Sequence, residues 1–191
     1  MKDEIKAVWG VDELPVELDR LIDFQEERSG YECYSEGCGV GVDDKQGLSA
    51  WSDDEAFLAR LFPVAQANGT GSTYVVWDDG SGRPLGQMPV VVFGDEGGVH
   101  VVAGNLLQLL RLLTYDAEIS VDHDDAYFFK DEDDHDESED QGSYREWLME
   151  EFSVKPVKKP GTIIRKAQSA YQSSFDRWMA QYHADDVDDQ G

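Results

Sequence analysis

Asp122-His123-Asp124-Asp125 and Asp133-Asp134-His135-Asp136 set carboxylates and imidazoles side by side. These are donor types that can hold a divalent ion and let it activate water, the chemistry of a metal-dependent hydrolase. Such a site needs a rigid frame to position the water. Both clusters lie in the most acidic stretch of the chain, where a histidine beside an aspartate arises from composition alone. No glycine stands where an EF-hand loop requires one. His100 and His183 are scattered elsewhere, and no nucleophile with its base stands out. Neither catalysis, nor a metal, nor a cofactor is expected.

Asn68-Gly69-Thr70-Gly71-Ser72 could be read as a phosphate cradle. A cradle must open a helix, so that free N–H groups and the helix dipole face the anion. The next residues are instead Thr73-Tyr74-Val75-Val76-Trp77, a β-branched and aromatic run, and no Gly-Lys-Ser/Thr ending is present. The loop is therefore expected to be a turn that launches a strand. Cys33 and Cys38 could face each other across a hairpin, but a reducing compartment favours two free thiols. Zinc spacing is absent.

The elements that must position these residues are legible in part. Asp12 is a candidate N-cap, with Pro15 in the first turn and Leu14, Leu18, Leu21 and Ile22 at helical spacing. Glycine-broken strand material is expected from Tyr31 to Val42. Ser52-Asp53-Asp54-Glu55 has the form of a capping box opening a short helix through Phe57, Leu58, Leu61 and Phe62, stopped by Pro63. Strands are expected at Thr73 to Trp77, Pro89 to Phe93 and Val99 to Val102, joined closely enough for an antiparallel meander. Asn105 should cap a leucine-rich buried helix.

From Asp116 to Asp140 the chain is crowded with carboxylates and Lys130 is the single cation. Such a segment should be a solvated loop, although Ala126-Tyr127-Phe128-Phe129 could hide a short strand or a docking anchor. Ser143 with Glu146 suggests a second capping box, for a helix through Trp147, Leu148 and Phe152. Lys155, Lys158, Lys159, Arg165 and Lys166 form one basic patch, expected to lie against the acidic run. A last helix, Thr162 to Tyr182, carries an apolar stripe that should dock on the domain.

The 191 residues fit one domain with an appendage. Forty-one acidic residues against sixteen basic give a net charge of −25, which repels nucleic acid and anionic lipid and suits a basic partner. No run of about 18 apolar residues is present to span a bilayer. Met1-Lys2-Asp3-Glu4 lacks the pattern of a signal peptide, so the cytoplasm is the expected location.

Taken in order, Leu14-Pro15, Gly69-Thr70-Gly71-Ser72-x-Tyr74-x-x-Trp77, Pro89-Val90-Val91-x-Phe93-Gly94-x-Glu96-Gly97 and Val101-Val102-Ala103-x-x-Leu106 resemble the SUKH superfamily. This group includes fungal cell-wall synthesis regulators and bacterial immunity proteins that neutralise polymorphic toxins, often nucleases. The resemblance covers residues 12 to 114. It implies an α+β fold, with a largely antiparallel sheet partly covered by helices, that works by binding proteins. The division expected is a SUKH-like domain at 1–114, an acidic segment at 115–142 and a helical extension at 143–191.

The resulting expectation is a non-catalytic immunity protein, a monomer or weak dimer, that occludes the active surface of a basic cognate toxin. The alternative is a regulatory protein-binding scaffold. Carboxylates would steer the partner, and aromatics would anchor it. The candidate contact residues are Trp51, Tyr74, Trp77, Asp78, Asp79, Asp131, Glu132, Asp133 and Asp134, with Tyr127 as a further aromatic and Trp51 foremost.

Overall fold

In the computed structural model, which describes residues 1–28, 33–131, 133 and 135–182, Thr73–Trp77 is a strand buried on both sides. Tyr74 and Val76 enter one apolar cluster and Val75 and Trp77 another. Successive side chains of a strand point to opposite faces, so this strand is sandwiched between two layers.

The elements run α1 (Lys2–Trp9), α2 (Val16–Glu26), β1 (Gly39–Val40), α3 (Gln46–Ser49), α4 (Glu55–Leu58), β2 (Leu61–Gln66), β3 (Thr73–Trp77), β4 (Val90–Phe93) and β5 (Val99–Ala103). They continue with α5 (Leu106–Leu113), β6 (Ile119–Val121), β7 (Ala126–Phe128), α6 (Gln141–Phe152) and α7 (Pro160–Met179). Strands β1 to β5 form an antiparallel meander in chain order, and β6 pairs with β7 in a separate hairpin. The fold is α+β.

One face of the sheet, with Val64, Tyr74, Val76, Val90, Val92 and Val102, is covered by α1, α2, α5 and α6 through residues such as Trp9, Leu21, Leu110 and Tyr144. The other, with Val75, Trp77, Val91, Phe93 and Val101, is covered by Leu48, Phe57 and the α7 residues Ala167, Phe175, Trp178 and Met179. The C-terminal third thus contributes to both clusters, because Ile119, Ala126, Tyr144, Leu148 and Ile164 join the first.

Several expectations are corrected. Leu61 and Phe62 belong to β2, not to a helix ending at Pro63: Leu61 enters one cluster and Phe62 the other, a separation that a strand produces. Pro63 lies on the part of β2 that β1 does not reach, and its carbonyl accepts from Trp9 Nε1 at 2.9 Å. Helix α2 starts after Pro15 and Asp12 does not cap it. Asp54, two residues past Ser52, caps α4 by accepting from the Ala56 N–H, and Ser52 accepts from the Asp54 N–H instead. Ser143 lies inside α6, which opens after Asp140. Helix α1 was not anticipated. Among the described residues no ion pair joins Lys155, Lys158, Lys159, Arg165 or Lys166 to the acidic run.

Asn105 does cap α5, accepting from the Gln108 N–H at 2.8 Å. Cys33 and Cys38 are thiols, not joined in a disulfide. No helix among the described residues is long and apolar enough to cross a membrane.

Candidate functional site

The register places Gly39, Gln66, Thr73, Phe93 and Val99 opposite one another in a row across the meander. This row shares the face that α7 covers further along at Trp77 and Val91. Around Gly39, Gln66, Thr73 and Phe93 the face stays open as two adjoining clefts, of about 540 and 440 Å³, that share Asp43, Gly71 and Thr73. Small residues make the room: Gly39, Gly41, Gly47, Gly71, Gly94 and Gly97 all border the groove.

Trp51 lines the second cleft, half-buried, with its ring edge-on to Phe93 at 5.6 Å between centroids. Asp43 and Asp44 stand on the loop before α3, and Asp95 on the turn after β4. Asp43 accepts from the Lys45 N–H at 2.7 Å and Asp44 from the Gln46 N–H at 3.1 Å, so each carboxylate also shapes its own turn. The neighbouring cation Lys45 donates from Nζ to the Leu58 carbonyl at 2.8 Å; burial lowers its pKa, and the charge of Asp43 opposes part of that lowering. Among the described residues none of Asp43, Asp44 and Asp95 is in an ion pair.

Asp95 is fixed by the glycine-rich loop. Its Oδ1 accepts from Ser72 Oγ at 2.7 Å and Thr70 Oγ1 at 2.9 Å, and these hydroxyls, Ser72 above all, hold its carboxyl below the usual range. The loop itself is organised by Asn68, whose Oδ1 accepts from the Gly71 and Ser72 N–H groups, while the single Thr70 hydroxyl proton is shared between Asn68 Oδ1 and Asp95 Oδ1, each 2.9 Å from Thr70 Oγ1. Gly69 N–H donates to Glu118 at 2.8 Å. The N–H groups of Gly69, Gly71 and Ser72 are thus spent on the protein's own oxygens, and β3 begins at once. It is a turn, as its sequence context implied.

The other expected contact residues are placed elsewhere. Tyr74 and Trp77 are 1% and 2% exposed and belong to the core, so neither can anchor a partner. Asp78 and Asp79 come after Trp77, at the end of β3 remote from Thr73, and serve their own loop. Asp78 accepts from the Gly80 N–H; Asp79 accepts from the Ser81 N–H and pairs with Arg83 at 2.5 Å. Burial pushes the Asp79 carboxyl up, but Ser81 and Arg83 outweigh it and hold it low. Asp131 and Asp133 are exposed, with the Asp133 N–H donating to Asp131; Glu132 and Asp134 lie outside the described residues. Tyr127 is exposed on β7.

In the two acid-and-imidazole clusters, Asp122 is engaged with the backbone and His135 with carboxylate side chains. Asp122 accepts from the N–H groups of Asp124 and Asp125, both at 2.8 Å, closing the turn between β6 and β7. His135 Nε2 lies 3.2 Å from Asp116. Among the described residues no group of three or more His, Cys, Asp or Glu side chains is placed to hold a metal ion.

An aromatic ring seated on Phe93 between unpaired carboxylates can take a guanidinium or ammonium group, by its π-face and by charge-assisted hydrogen bonds. Of this groove the sequence pointed to Trp51 alone. Asp43 and Asp44 follow β1 while Phe93 ends β4 and Asp95 follows it, and the successive pairings of Gly39 with Gln66, Gln66 with Thr73 and Thr73 with Phe93 bring these distant segments together. Compared with protein-family models, with curated proteins and with solved structures, the chain finds no match.

Proposed function

We propose that this chain is a non-catalytic protein-binding module that seats a basic partner in the Trp51 groove, and that it serves as an immunity protein neutralising a cognate toxin by occlusion. The observation that carries the reading is the half-buried Trp51 beside Asp43 and Asp95, with Asp44 on the adjoining cleft, none of the three carboxylates ion-paired among the described residues, in a chain of net charge −25. A long-range negative field accelerates encounter with a basic protein, while a desolvated aromatic anchor supplies residence time. The resemblance to the SUKH superfamily supports the biological role, and the helix-flanked antiparallel sheet is the architecture which that resemblance implied.

The test compares the wild-type chain with Trp51→Ala and with Asp43→Asn/Asp44→Asn, each tagged and used for capture from native lysate. The aspartate changes retain the oxygen that accepts from Lys45 and Gln46, so they remove charge and keep the turn. One basic protein should be held at about one to one past physiological salt, and Trp51→Ala should weaken it by about 30-fold, the loss of a hot-spot residue. Co-expression with the chain should then protect cells from that protein. Equal retention by both variants, or a captured protein harmless to cells, would overturn the reading. Several partners released together at modest salt would point to the scaffold role instead.

A further inference from the structure

Part of this acidic chain's positive charge is gathered away from the groove, where Arg111, Lys155, Lys158, Lys159 and Lys166 line a series of clefts. Asp95 and Glu96 stand on the turn before β5, whereas Gly104 and Asn105, just after β5, border a separate set of clefts. Three of these adjoin along α5, α7 and the strap between α6 and α7, with volumes of about 300, 470 and 400 Å³. Arg111 lines two of them and Lys166 two, so the series is continuous. The cleft of about 300 Å³ has Arg111, Lys158, Lys159, Lys166 and Thr162 on its walls, over Val157 and Ile163.

We propose that this cleft binds a small phosphorylated ligand. Its four cations are in no ion pair among the described residues, although the chain carries 41 carboxylates. Like charges held together without counter-ions repel, and an anion seated among them relieves that repulsion. Two bonds fix the frame of the cleft, on which the side chains of Lys158, Lys159 and Lys166 are exposed. Arg111 Nε donates to the Lys155 carbonyl at 3.0 Å, which aims its remaining N–H donors away from that bond. The Val157 N–H donates to the buried Thr114 Oγ1 at 2.9 Å, pinning the strap. A planar guanidinium, three ammonium groups and a hydroxyl match the oxygens of a phosphate monoester in type and number. The 20-residue helix α7 opens at the same place with Pro160 and no side-chain cap, so its dipole adds to the positive potential.

The size of the ligand is set by the whole-molecule charge. A polyanion longer than the Debye length, about 8 Å at physiological salt, meets the field of a chain at −25. A phosphate monoester is shorter than that and responds to the local cations. The cleft therefore selects small anions over nucleic acid.

The experiment is a titration of the full chain with inorganic phosphate and with glycerol phosphate in low-chloride buffer, monitored by calorimetry and by amide shifts. Saturable binding of glycerol phosphate is expected, with the shifts concentrated at Gly161, Thr162 and Ile163, a readout that needs no variant. Lys159→Gln/Lys166→Gln should weaken binding by about 100-fold, about tenfold for each charge-assisted contact. The control Arg20→Gln, an exposed cation on α2, should change nothing. Shifts scattered over the surface, equal loss in the control, or no saturation at millimolar ligand would overturn the proposal. So would an oligonucleotide that binds the cleft more tightly than the monoester.

Discussion

Asp116 has no exposed surface, its backbone lies in the left-handed region at φ +58°, and its carboxylate gathers donors from two segments distant in the chain. It accepts from the Glu36 N–H at 3.0 Å, from the Ser138 N–H at 2.9 Å and from Ser138 Oγ at 2.6 Å, with His135 Nε2 at 3.2 Å. Burial pushes this carboxyl up, but the Ser138 hydroxyl and N–H, the Glu36 N–H and His135 outweigh burial and hold it below the ordinary carboxylate range. A folded pKa below the unfolded one stabilises the fold above the unfolded value, about 3.9, and that stability is lost as pH falls through the folded value. Asparagine tolerates the left-handed backbone and keeps one acceptor, but turns its amide N–H groups toward donors. Asp116→Asn should therefore cost about 1–3 kcal/mol near neutral pH. Thermal unfolding of both proteins from pH 7 downward should show the gap closing below about pH 4; a gap constant with pH would mean that the carboxylate's charge is not what the donors stabilise.

At the scale of elements, β5 is the last strand of the meander and its outer edge would offer unpaired N–H and C=O groups. Helix α7 closes that edge with one side chain: Gln172 Oε1 accepts from the Val101 N–H at 2.7 Å, and Gln172 Nε2 reaches the Val99 carbonyl at 3.4 Å. Gln172→Ala should cost about 1–2 kcal/mol in denaturant unfolding, and the Val101 amide should exchange with solvent faster than its neighbours. Unchanged exchange at Val101 would show that packing of α7, not this pair, protects the edge. The stripe of Ile164, Ala167, Phe175 and Trp178 made the helix legible from sequence, whereas Gln172 was not, because an edge contact depends on where the helix lands. Strands β3, β4 and β5 and the Asn105 cap were legible for local reasons, namely β-branched runs between turn residues and an acceptor before a leucine run. Strand β2 was missed because Phe57, Leu58, Leu61 and Phe62 imitate helical spacing while the chain changes from α4 to β2 at Leu61.

On the scale of the whole molecule, salt should act on the free chain and on its proposed complex in opposite directions. The charge of −25 makes the folded state repel itself, and screening relieves part of that repulsion. The surface ion pairs, such as Lys2 with Asp19 and Asp23, contribute little each and their weakening does not reverse the sign. Thermal unfolding should therefore move to higher temperature between about 10 and 150 mM salt, as the Debye length shrinks from about 30 to 8 Å. Over the same range association with a basic partner at the Trp51 groove should slow, with dissociation changing less, because rim charges govern encounter. The two trends separate explanations that a binding assay alone confuses. If salt abolished binding while also lowering the unfolding temperature, loss of the complex would reflect a failing fold. A rising unfolding temperature together with a falling association rate assigns the loss to steering by the carboxylates, and Asp43→Asn/Asp44→Asn should then reduce the salt slope of association while leaving the thermal trend in place.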